Sequence, residues 1–548
     1  MATCNIAASL VEMAQRRPDA VAIVTTVGRD RGRRWRYATQ TYAELDRHSD
    51  AIGHALQYFG IARGDRAVLA VRPSAEFFAL VFGLFKAGIV PVMVDPGLGL
   101  RQLKQCLDEA APTAFIGTPA AHAIRNLLGW ARPTLQHWVV VGQPWLSGGE
   151  RLRDLVQDCP LKGPLLEQTA PEETAAILFT SGSTGPAKGV VYQHRHFVNQ
   201  VTLIRETYGI VAGEVDLPTF PLFALFDPAL GMTTVVPPMD FARPARVDPV
   251  MLGELIADWQ ITNVFGSPAV LHTVVQGTPD ARWPTVRRVL SAGAPVPAAV
   301  LAGMQRILPD GAQVFTPYGA TESLPVASMG SREVLTETRQ RTEQGEGVCV
   351  GRPAPGVDVR VIAIDDGPLA NWRDVEELNN GCVGELCVSG PTTTHAYFGR
   401  PAATAKAKID RAGTVVHRMG DVGWRDDQGR LWYCGRMSHR VTLAGRVLHT
   451  APVEEILNTH PAVRRTALVA VQVGGQTEAA VCVELHRPQT MAPRQVLAEL
   501  AQLAAGHTVT RGIVRFAVHP RFPVDVRHNA KIGREQLAVW YQRRWGKQ

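Results

Sequence analysis

Cysteine is scarce in this chain and has no metal-binding or disulfide pattern. The 548 residues include 8 cysteines with no Cys-x-x-Cys spacing, and even Cys382 and Cys387 have four residues between them. This distribution argues against a disulfide framework and against a zinc site. The sequence therefore favours a reducing compartment, the cytoplasm.

Targeting and membrane-spanning features are also absent. The first residues lack a basic segment followed by a long apolar run, so we expect no signal peptide. The most apolar stretch, residues 75–94, is interrupted by Lys86, by glycines and by Pro91. It favours a buried helix followed by a buried strand, and no integral membrane segment.

No stripe of basic residues with interleaved aromatics runs along the chain, which argues against nucleic acid as a partner. The formal net charge is +7, which is modest for 548 residues and suits an enzyme that handles anions. The basic run at Arg29–Arg36 has two open interpretations, a solvated loop or a docking patch for a partner. Neither repeats nor low-complexity segments are present.

The order of elements predicts an α/β fold with more than one domain, because 548 residues exceed what one core usually supports. Thr41 and Glu44 form a capping box that opens a helix, and Ser74 caps another that runs to Lys86. Strands over 67–71 and 89–94 alternate with these helices, which indicates parallel βαβ units. Asp248 and Ser267 begin further helices. We predict a large N-terminal domain, 1–436, with a β-rich part, and a small α+β C-terminal domain, 437–548.

A glycine- and hydroxyl-rich segment stands between two apolar, strand-like runs. Residues 179–189 read Phe-Thr-Ser-Gly-Ser-Thr-Gly-Pro-Ala-Lys-Gly. Backbone N–H groups and hydroxyls of such a loop can surround an anion. It is not a Walker A loop, since Lys188 is followed by Gly189 rather than by Ser or Thr. A flexible linker is the alternative interpretation.

Two further segments follow predicted strands directly. Residues 291–295, Ser-Ala-Gly-Ala-Pro, follow the strand at 286–290, and residues 318–322, Tyr-Gly-Ala-Thr-Glu, follow the strand at 313–317. Open α/β sheets bind ligands at the carboxyl ends of their strands. We therefore expect both segments to be loops at one ligand site.

Together these segments resemble the adenylate-forming enzymes, which include acyl-CoA synthetases, luciferases and nonribosomal-peptide adenylation domains. The resemblance spans almost the whole chain, with five motifs in the family's order. Thr180–Gly189 looks like the phosphate loop and Tyr318–Glu322 like the adenine and magnesium motif. Met419-Gly-Asp421 and Gly435-Arg436 look like the ribose-binding and interdomain motifs, and Lys531 occupies the place of a mobile catalytic lysine.

The resemblance implies ATP and Mg²⁺ as cofactors and assigns roles residue by residue. Lys531, Glu322 and Thr184 are the catalytic candidates, and Glu322 and Thr184 are the metal ligands. The nucleotide-binding candidates are Thr180, Ser181, Gly182, Ser183, Thr184, Gly185, Lys188, Gly293, Ala294, Pro295, Tyr318, Gly319, Ala320, Thr321, Glu322, Asp421, Arg436 and Lys531.

Within that family the chain is most similar to a subfamily, the β-lactone synthetases of bacterial olefin biosynthesis. Residues 219–231, 416–423 and 522–534 carry this likeness. It implies a long-chain 2-alkyl-3-hydroxy acid as substrate, release of AMP and pyrophosphate, and a possible complex with other olefin-biosynthesis enzymes. Apolar residues near 220–230 and 265–270 are expected to line an acyl pocket.

Three positions depart from the wider family. Ala224 replaces a histidine, Ser438 replaces the hinge aspartate, and Ala530 replaces the glycine before Lys531. The first two argue against ordinary thioester formation. A fatty acyl-CoA or acyl-AMP ligase remains the alternative, and a non-catalytic nucleotide-binding protein is a third hypothesis, opposed by the retained Lys531, Glu322 and Asp421.

Individual residues also have purely structural interpretations. Glu322 can cap a turn, Asp421 can form an Asx-turn and Arg436 can form an ion pair between domains. Asp227, within an apolar run, is either a buried hydrogen-bonded carboxylate or a residue of the substrate site.

Overall fold

The structure is a computed structural model that describes residues 4–143, 148–180, 187–488, 491–524 and 532–545. In chain order, the helices of these ranges are α1 (Ala8–Arg16), α2 (Tyr42–Tyr58), α3 (Ala75–Lys86), α4 (Leu100–Ala110), α5 (Pro119–Leu128), α6 (Leu152–Asp158), α7 (His194–Tyr208), α8 (Pro221–Ala224), α9 (Asp227–Leu230), α10 (Pro249–Trp259), α11 (Pro268–Gly277), α12 (Ala298–Ile307), α13 (Ser331–Glu333), α14 (Arg339–Glu343), α15 (Pro401–Ala407), α16 (Thr450–Leu457), α17 (Pro493–Gly506) and α18 (Arg534–Trp545).

The strands of the same ranges are β1 (Val21–Arg29), β2 (Trp35–Thr41), β3 (Arg66–Ala70), β4 (Val90–Val94), β5 (Ala114–Gly117), β6 (His137–Val140), β7 (Glu150–Arg151), β8 (Thr174–Thr180), β9 (Lys188–Gln193), β10 (Val215–Pro218), β11 (Thr233–Val236), β12 (Asn263–Phe265), β13 (Arg288–Leu290), β14 (Gln313–Ala320), β15 (Ser323–Gly330), β16 (Val348–Pro353), β17 (Asp358–Ile362), β18 (Gly384–Ser389), β19 (Lys408–Arg411), β20 (Thr414–Arg425), β21 (Leu431–Arg436), β22 (Val441–Leu443), β23 (Arg446–Leu448), β24 (Val463–Val473), β25 (Gln476–Leu485) and β26 (Arg515–Val518).

The first sheet has the strand order β7-β6-β5-β3-β4-β8-β9 and is parallel except for its last pair, β8 and β9. Alternate residues of each strand face opposite sides of the sheet. On β3, Leu69 packs in one apolar cluster with Phe77 of α3, and Val68 packs in another with Leu107 of α4. Helices therefore cover both faces of this sheet, as the βαβ pattern predicts.

A second, larger sheet runs from parallel to antiparallel. The strands β1, β11, β10, β12, β13 and β14 are successive parallel neighbours. From β14 the sheet continues through antiparallel pairs to β15, β16, β21, β20, β18 and β17. This antiparallel part is the β-rich region expected near residues 384–436, including the hairpin at 426–430.

The C-terminal residues form a smaller α+β unit. Strands β24, β25 and β26 make a three-stranded sheet, packed by α16 and α17 on one apolar cluster and by α18 on another. The fold class is as predicted, an α/β chain with a β-rich part and a small α+β unit. The boundary after Arg436 stays a prediction.

Local signals located several elements correctly. The Glu44 amide donates to Thr41 Oγ1 at 3.2 Å and the Thr41 amide donates to Glu44 Oε2 at 2.8 Å, which completes the capping box of α2. Ser74, Asp248 and Ser267 cap α3, α10 and α11 through side-chain oxygens. These caps satisfy backbone donors that the first helical turn leaves without partners.

The segment at 318–322 differs from its prediction as a loop. Residues 318–320 continue β14, and only Thr321 and Glu322 connect it to the antiparallel strand β15. The prediction was wrong here because the pairing partner of this segment follows it in sequence, so the strand does not end where its apolar run ends.

Within the described ranges, no helix combines the length and the apolar character that a membrane crossing requires.

Candidate active site

One cavity of about 1230 Å³ brings together most of the candidate residues. It is larger than the ~300–1,000 Å³ that usually holds a single drug-sized ligand, so it has room for a nucleotide and an acyl group. The candidates that line it are Lys188, Gly293, Ala294, Pro295, Tyr318, Gly319, Ala320, Thr321, Glu322, Asp421 and Arg436.

The glycine-rich segment joins two antiparallel strands. Thr180, at the end of β8, pairs with Lys188, at the start of β9. Ser181, Gly182, Ser183, Thr184 and Gly185 lie outside the described residues. The segment therefore begins and ends on paired strands, as the sequence predicts.

Lys188 points toward the aromatic ring of Tyr397, with Nζ 4.8 Å from the ring centroid. Burial lowers the pKa of Lys188, and the nearby carboxylate of Glu322 opposes that shift. A partly buried ammonium in a cavity interacts strongly with an anion, because the local dielectric is low.

Glu322 is fixed by the segment that precedes α15. The hydroxyl of Tyr397 donates to Glu322 Oε1 at 2.6 Å. The Thr394 amide and its hydroxyl both donate to the Glu322 carbonyl, at 2.8 and 3.1 Å. Burial alone would raise the pKa of Glu322, but His417, the Tyr397 hydrogen bond and Lys408 outweigh burial and lower it. The carboxylate is therefore ionised near neutral pH.

Two further ionisable residues stand beside Glu322. Lys408 on β19 and His417 on β20 are directly opposite each other in an antiparallel pair, so their side chains share one face of the sheet. Burial lowers the pKa of Lys408 to about 7 and that of His417 to about 3. His417 Nδ1 lies 3.1 Å from the Ala407 carbonyl, which makes Nδ1 the protonated nitrogen.

Asp421 is held between two partners on different strands, Tyr318 of β14 and Arg436 of β21. Tyr318 donates its hydroxyl proton to Asp421 Oδ2 at 2.6 Å, and Arg436 Nη1 lies 3.0 Å from Oδ1. Asp421 and Arg436 are also register partners of β20 and β21. The charge of Asp421 raises the pKa of Arg436 further, so the guanidinium stays charged. A carboxylate oriented in this way can accept both hydroxyls of a ribose diol.

The local backbone explains this placement of Asp421. Between its pairs with Cys387 and Glu385 of β18, strand β20 advances from Arg418 to Val422, so it carries extra residues. Gly420, within this bulge, has φ +64°, a conformation that glycine adopts without strain. Bulges redirect side chains, and this one directs Asp421 at Tyr318.

The segment after β13 contributes backbone to the same cavity. Gly293 has φ +98°, and it lines the cavity with Ala294 and Pro295. The left-handed conformation of Gly293 turns the chain across the end of the strand.

The positions that depart from the wider family have different locations. Ala224 is fully buried in α8, and Ser438 lines the cavity. Ala530 and Lys531 lie outside the described residues. A bridge between Val524 and Ile532 brackets their segment, and α18 begins just after it.

Asp227 is a buried hydrogen-bonded carboxyl. It is 5% exposed, accepts from Thr234 Oγ1 at 2.9 Å and shares a hydrogen bond with Asp216. Burial raises the pKa of both carboxyls, that of Asp216 to about 7. Neither belongs to the cavity lining, so of the two interpretations left open the structural one fits.

The basic run at 29–36 forms the turn of the β1–β2 hairpin. Arg29 pairs with Glu254 of α10 at 2.5 Å, and its guanidinium lies 4.0 Å from the Trp35 ring centroid. Trp35 Nε1 donates to the same carboxylate at 2.8 Å. The charge of Arg29 is therefore used within the protein, in an ion pair that holds the hairpin against α10.

Aromatic side chains continue the cavity away from the polar residues. Phe220, Phe223 and Phe226 line it together with Phe265. The rings of Phe223 and Phe265 stack with centroids 4.1 Å apart. These side chains come from the two segments in which the sequence predicts an acyl pocket.

Sequence reasoning missed four residues that shape the site. Tyr192 donates to the Thr321 carbonyl at 2.5 Å, and Tyr397, Lys408 and His417 surround Glu322. Tyr192, Tyr397 and Lys408 lie in strands or a turn with no distinguishing pattern of their own, whereas His417 lies within residues 416–423 and was assigned no role. For His417 a usable signal was its position four residues before Asp421.

Among the described residues, no group of three or more His, Cys, Asp or Glu side chains is arranged to hold a metal ion. A single carboxylate such as Glu322 is compatible with a Mg²⁺ site, because Mg²⁺ beside a nucleotide is usually bound by one or two carboxylates together with the substrate phosphates.

The parts of this site, a glycine-rich connection, an ionised glutamate in a turn and a carboxylate beside an arginine, suit the binding of a nucleotide. The family model described as AMP-binding enzyme matches residues 10–398, more than half of the chain. The chain belongs to the AMP-binding enzyme family.

Two relatives resemble it over nearly their full lengths. The chain is 53% identical to an olefin β-lactone synthetase of Xanthomonas campestris over 98% of this chain and 97% of that protein. It is also 53% identical to an olefin β-lactone synthetase of Stenotrophomonas maltophilia, over 98% of each.

Solved structures share the fold at low identity. ATP-bound MatB from Rhodopseudomonas palustris has a TM-score of 0.80 at 20% identity and covers 99% of both chains. The amide bond synthetase McbA from Marinactinospora thermotolerans has a TM-score of 0.78 at 22% identity, over 98% of this chain and 100% of that one.

Proposed function

We propose that this protein is an ATP-dependent β-lactone synthetase. It activates the carboxylate of a long-chain 2-alkyl-3-hydroxy fatty acid with ATP, releases pyrophosphate, and closes the lactone through the substrate's own β-hydroxyl with loss of AMP. The observation that carries this proposal is the 53% identity, over nearly the whole chain, to two proteins named olefin β-lactone synthetase.

The first step must overcome the repulsion between a carboxylate and a triphosphate. Positive charge and oriented donors at the reacting phosphate are the main help that a protein can give. We assign the pyrophosphate half of ATP to Lys188 and the preceding hydroxyl-rich residues, the ribose to Asp421, and the reacting end to Lys531. We assign to Arg436 the bridge between the ribose or phosphates and the second domain.

Mg²⁺ is part of this proposal. We assign it to Glu322 and Thr184, and Glu322 is ionised and fixed by Tyr397 for such a role. When bound, the cation neutralises charge on the phosphates. The chain's own contribution is to hold the Glu322 carboxylate at the edge of the cavity.

In the second step the β-hydroxyl oxygen attacks the activated carbonyl of the same molecule. The new carbon–oxygen bond closes the four-membered ring, the bond to AMP breaks, and the hydroxyl proton leaves to solvent or to the AMP phosphate. Because the nucleophile is already attached, correct positioning replaces the recruitment of a second substrate. The apolar lining near Phe223 and Phe265 supports a role in holding the chain in place.

The alternative is a fatty acyl-CoA or acyl-AMP ligase, and one experiment separates the two. The protein is incubated with ATP, Mg²⁺ and a 2-alkyl-3-hydroxy acid, with and without CoA, and the products are separated and identified. We expect β-lactone, AMP and pyrophosphate in both samples. A thioester that forms only with CoA, without lactone, would overturn the proposal.

Location and partners complete the proposal. We place the protein in the cytoplasm and in association with other olefin-biosynthesis enzymes. We also propose the boundary after Arg436, with residues 437–548 acting as a lid that carries Lys531. Co-purification from a native host, with the olefin enzymes measured by mass spectrometry, tests the association.

A further inference from the structure

The apolar part of the cavity reaches both faces of the first sheet. Half-buried apolar side chains on the α3 face line it, namely Val71, Leu178, Leu225 and Phe226. On the opposite face it is lined by Ala70, Val94, Leu103 and Ala121. We call these two parts the α3 arm and the α4/α5 arm.

The strand geometry confirms that the two arms lie on opposite faces. Consecutive strand residues point to opposite sides of a sheet. At the end of β3, Ala70 belongs to the cluster of the α4/α5 arm, and the next residue, Val71, belongs to that of the α3 arm. On β8, Leu178 packs with the α3 cluster and Phe179 with the other.

The sheet separates the arms everywhere except at its carboxyl edge. Strands β5, β3, β4 and β8 are consecutive hydrogen-bonded neighbours, so no ligand passes between them. Ala70, Val71 and Val94 lie at or just beyond the ends of β3 and β4, and all three line the cavity. The arms therefore meet at this edge, on the side of the glycine-rich connection after β8.

The α4/α5 arm also opens at the protein surface. Leu100 of α4 and Ile124 of α5 line the cavity and are 54% and 38% exposed. Part of the apolar lining of this arm therefore lies at the surface. This opening gives a long alkyl chain room to extend beyond the cavity.

We propose that the two arms receive the two alkyl chains of one branched acid, one chain on each face of the first sheet, with the branch point at the carboxyl edge. This inference rests on the proposed function and adds the shape of its substrate. An unbranched chain that enters from the edge follows only one face. A 2-alkyl-3-hydroxy acid carries chains on two adjacent carbons, and these chains can separate over the edge.

The test uses two isomeric hydroxy acids with the same number of carbons. One has a long 2-alkyl group and a short chain beyond C3, and the other has these lengths exchanged. Leu103→Phe and Ala121→Leu narrow the α4/α5 arm, and Leu225→Phe narrows the α3 arm. Lactone formation is measured as kcat/KM for each isomer, with the melting temperature of every variant as a check on folding.

The two arms are expected to give opposite results. Each narrowed arm discriminates against the isomer whose long chain it receives, by about tenfold or more, because one methylene group that a pocket no longer accommodates changes kcat/KM by roughly 10- to 200-fold. The control is Leu127→Phe, since Leu127 is also on α5 but is 84% exposed and outside the cavity lining. For this variant, the ratio of the two isomers' kcat/KM values is expected to stay within about twofold of the ratio for the unmodified protein.

The inference is overturned if folded variants of both arms penalise the same isomer, or if neither changes the ratio. A different failure belongs to the proposed function itself, namely that the unmodified protein forms no lactone from either isomer. Release of pyrophosphate without lactone would assign that failure to cyclisation rather than to the fit of the chains.

Discussion

Lys408 acts on Glu322 through one threonine. Its ammonium donates to the Thr394 carbonyl, and Thr394 in turn donates to the Glu322 carbonyl. The charge of Glu322 raises the pKa of Lys408 and thereby opposes the effect of burial. The lysine therefore holds the turn that presents Glu322.

We expect Lys408→Met to raise the KM for Mg·ATP by roughly 10- to 100-fold, because hydrogen bonds from a charged group are worth ~1.5–3 kcal/mol. The KM for the hydroxy acid should change much less, since the lysine does not belong to the apolar arms. Steady-state kinetics at varied ATP and Mg²⁺ measure both constants. Lys408→Arg is the control that keeps the charge and should recover most of the affinity. Equal changes in both KM values would contradict this role.

The carboxyl pair Asp216 and Asp227 makes stability depend on pH. Because burial raises both pKa values in the folded state, the folded protein binds more protons than the unfolded one above the ordinary carboxyl range. The stabilising effect of this proton uptake is present at low pH and declines as the pH rises through about 7, the pKa of Asp216.

Asp227→Asn removes the ionisable group and keeps an oxygen for Thr234. We expect its free energy of unfolding to fall less than that of the unmodified protein between pH 5 and pH 8, by an amount on the order of 1.4 kcal/mol for each pKa unit removed, and its melting temperature to fall less accordingly. Thermal unfolding in matched buffers measures this. Glu206→Gln, on an exposed carboxylate of α7, is the comparison. Parallel curves for Asp227→Asn and the unmodified protein would refute the assignment.

At the scale of elements, one glycine allows two strands to approach closely. Gly351 on β16 has φ +91°, and a Cβ built there would lie 1.9 Å from the Ser328 carbonyl oxygen on β15. The Gly351 Cα that would carry this Cβ and the Ser328 carbonyl both belong to backbone that the sheet holds in place. A shift of either would therefore cost free energy.

Gly351→Ala should therefore destabilise the protein by about 3 kcal/mol or more, through strain and the loss of local pairing. Gly356→Ala is a matched control, because Gly356 has φ +73° but no atom within 4 Å of the added Cβ. It should cost only ~1 kcal/mol. Chemical denaturation of both variants compares them, and equal losses would mean that backbone conformation alone, rather than close approach, restricts Gly351.

Elements with local signals were predictable from the sequence, and those set by distant partners were not. Thr41, Ser74, Asp248 and Ser267 place helix starts correctly because a cap acts within four residues. The extension of β14 through Ala320 depends on pairing with β15, and no property of residues 318–320 alone reveals it.

The candidate site divides in the same way. Motif residues such as Lys188, Glu322 and Asp421 were found because each stands in a recognisable order along the chain. Tyr397 and Lys408 were missed because each acts on Glu322, which lies 75 and 86 positions earlier, Tyr397 through a hydrogen bond and Lys408 through its charge. Contacts at such separations leave no pattern in one sequence.

At the scale of the whole molecule, the proposed chemistry requires residues from both ends of the chain. Ser438 lines the cavity, and Arg440 pairs with Asp366 at 2.5 Å across the predicted boundary. The C-terminal unit is therefore in contact with the large part in this arrangement. Lys531 itself lies outside the described residues.

We expect Lys531→Ala to reduce hydroxy-acid-dependent pyrophosphate release by ~10²–10³-fold, the usual cost of removing one electrostatic group at a reacting centre. ATP should still bind, because Lys188 and Asp421 are unchanged, and saturating ATP should still raise the melting temperature. Coupled pyrophosphate assays and thermal shifts measure the two effects. Unchanged turnover would remove Lys531 from the reaction.

The separation of the two arms by a sheet also affects stereochemistry. If the carboxylate is fixed at the nucleotide end and each chain is confined to its own face, three groups around the C2–C3 bond are held at once. A mirror-image acid can satisfy only two of these positions. Handedness is then selected by backbone and apolar surface, with no hydrogen bond to either stereocentre, and racemic acid should leave one enantiomer unreacted.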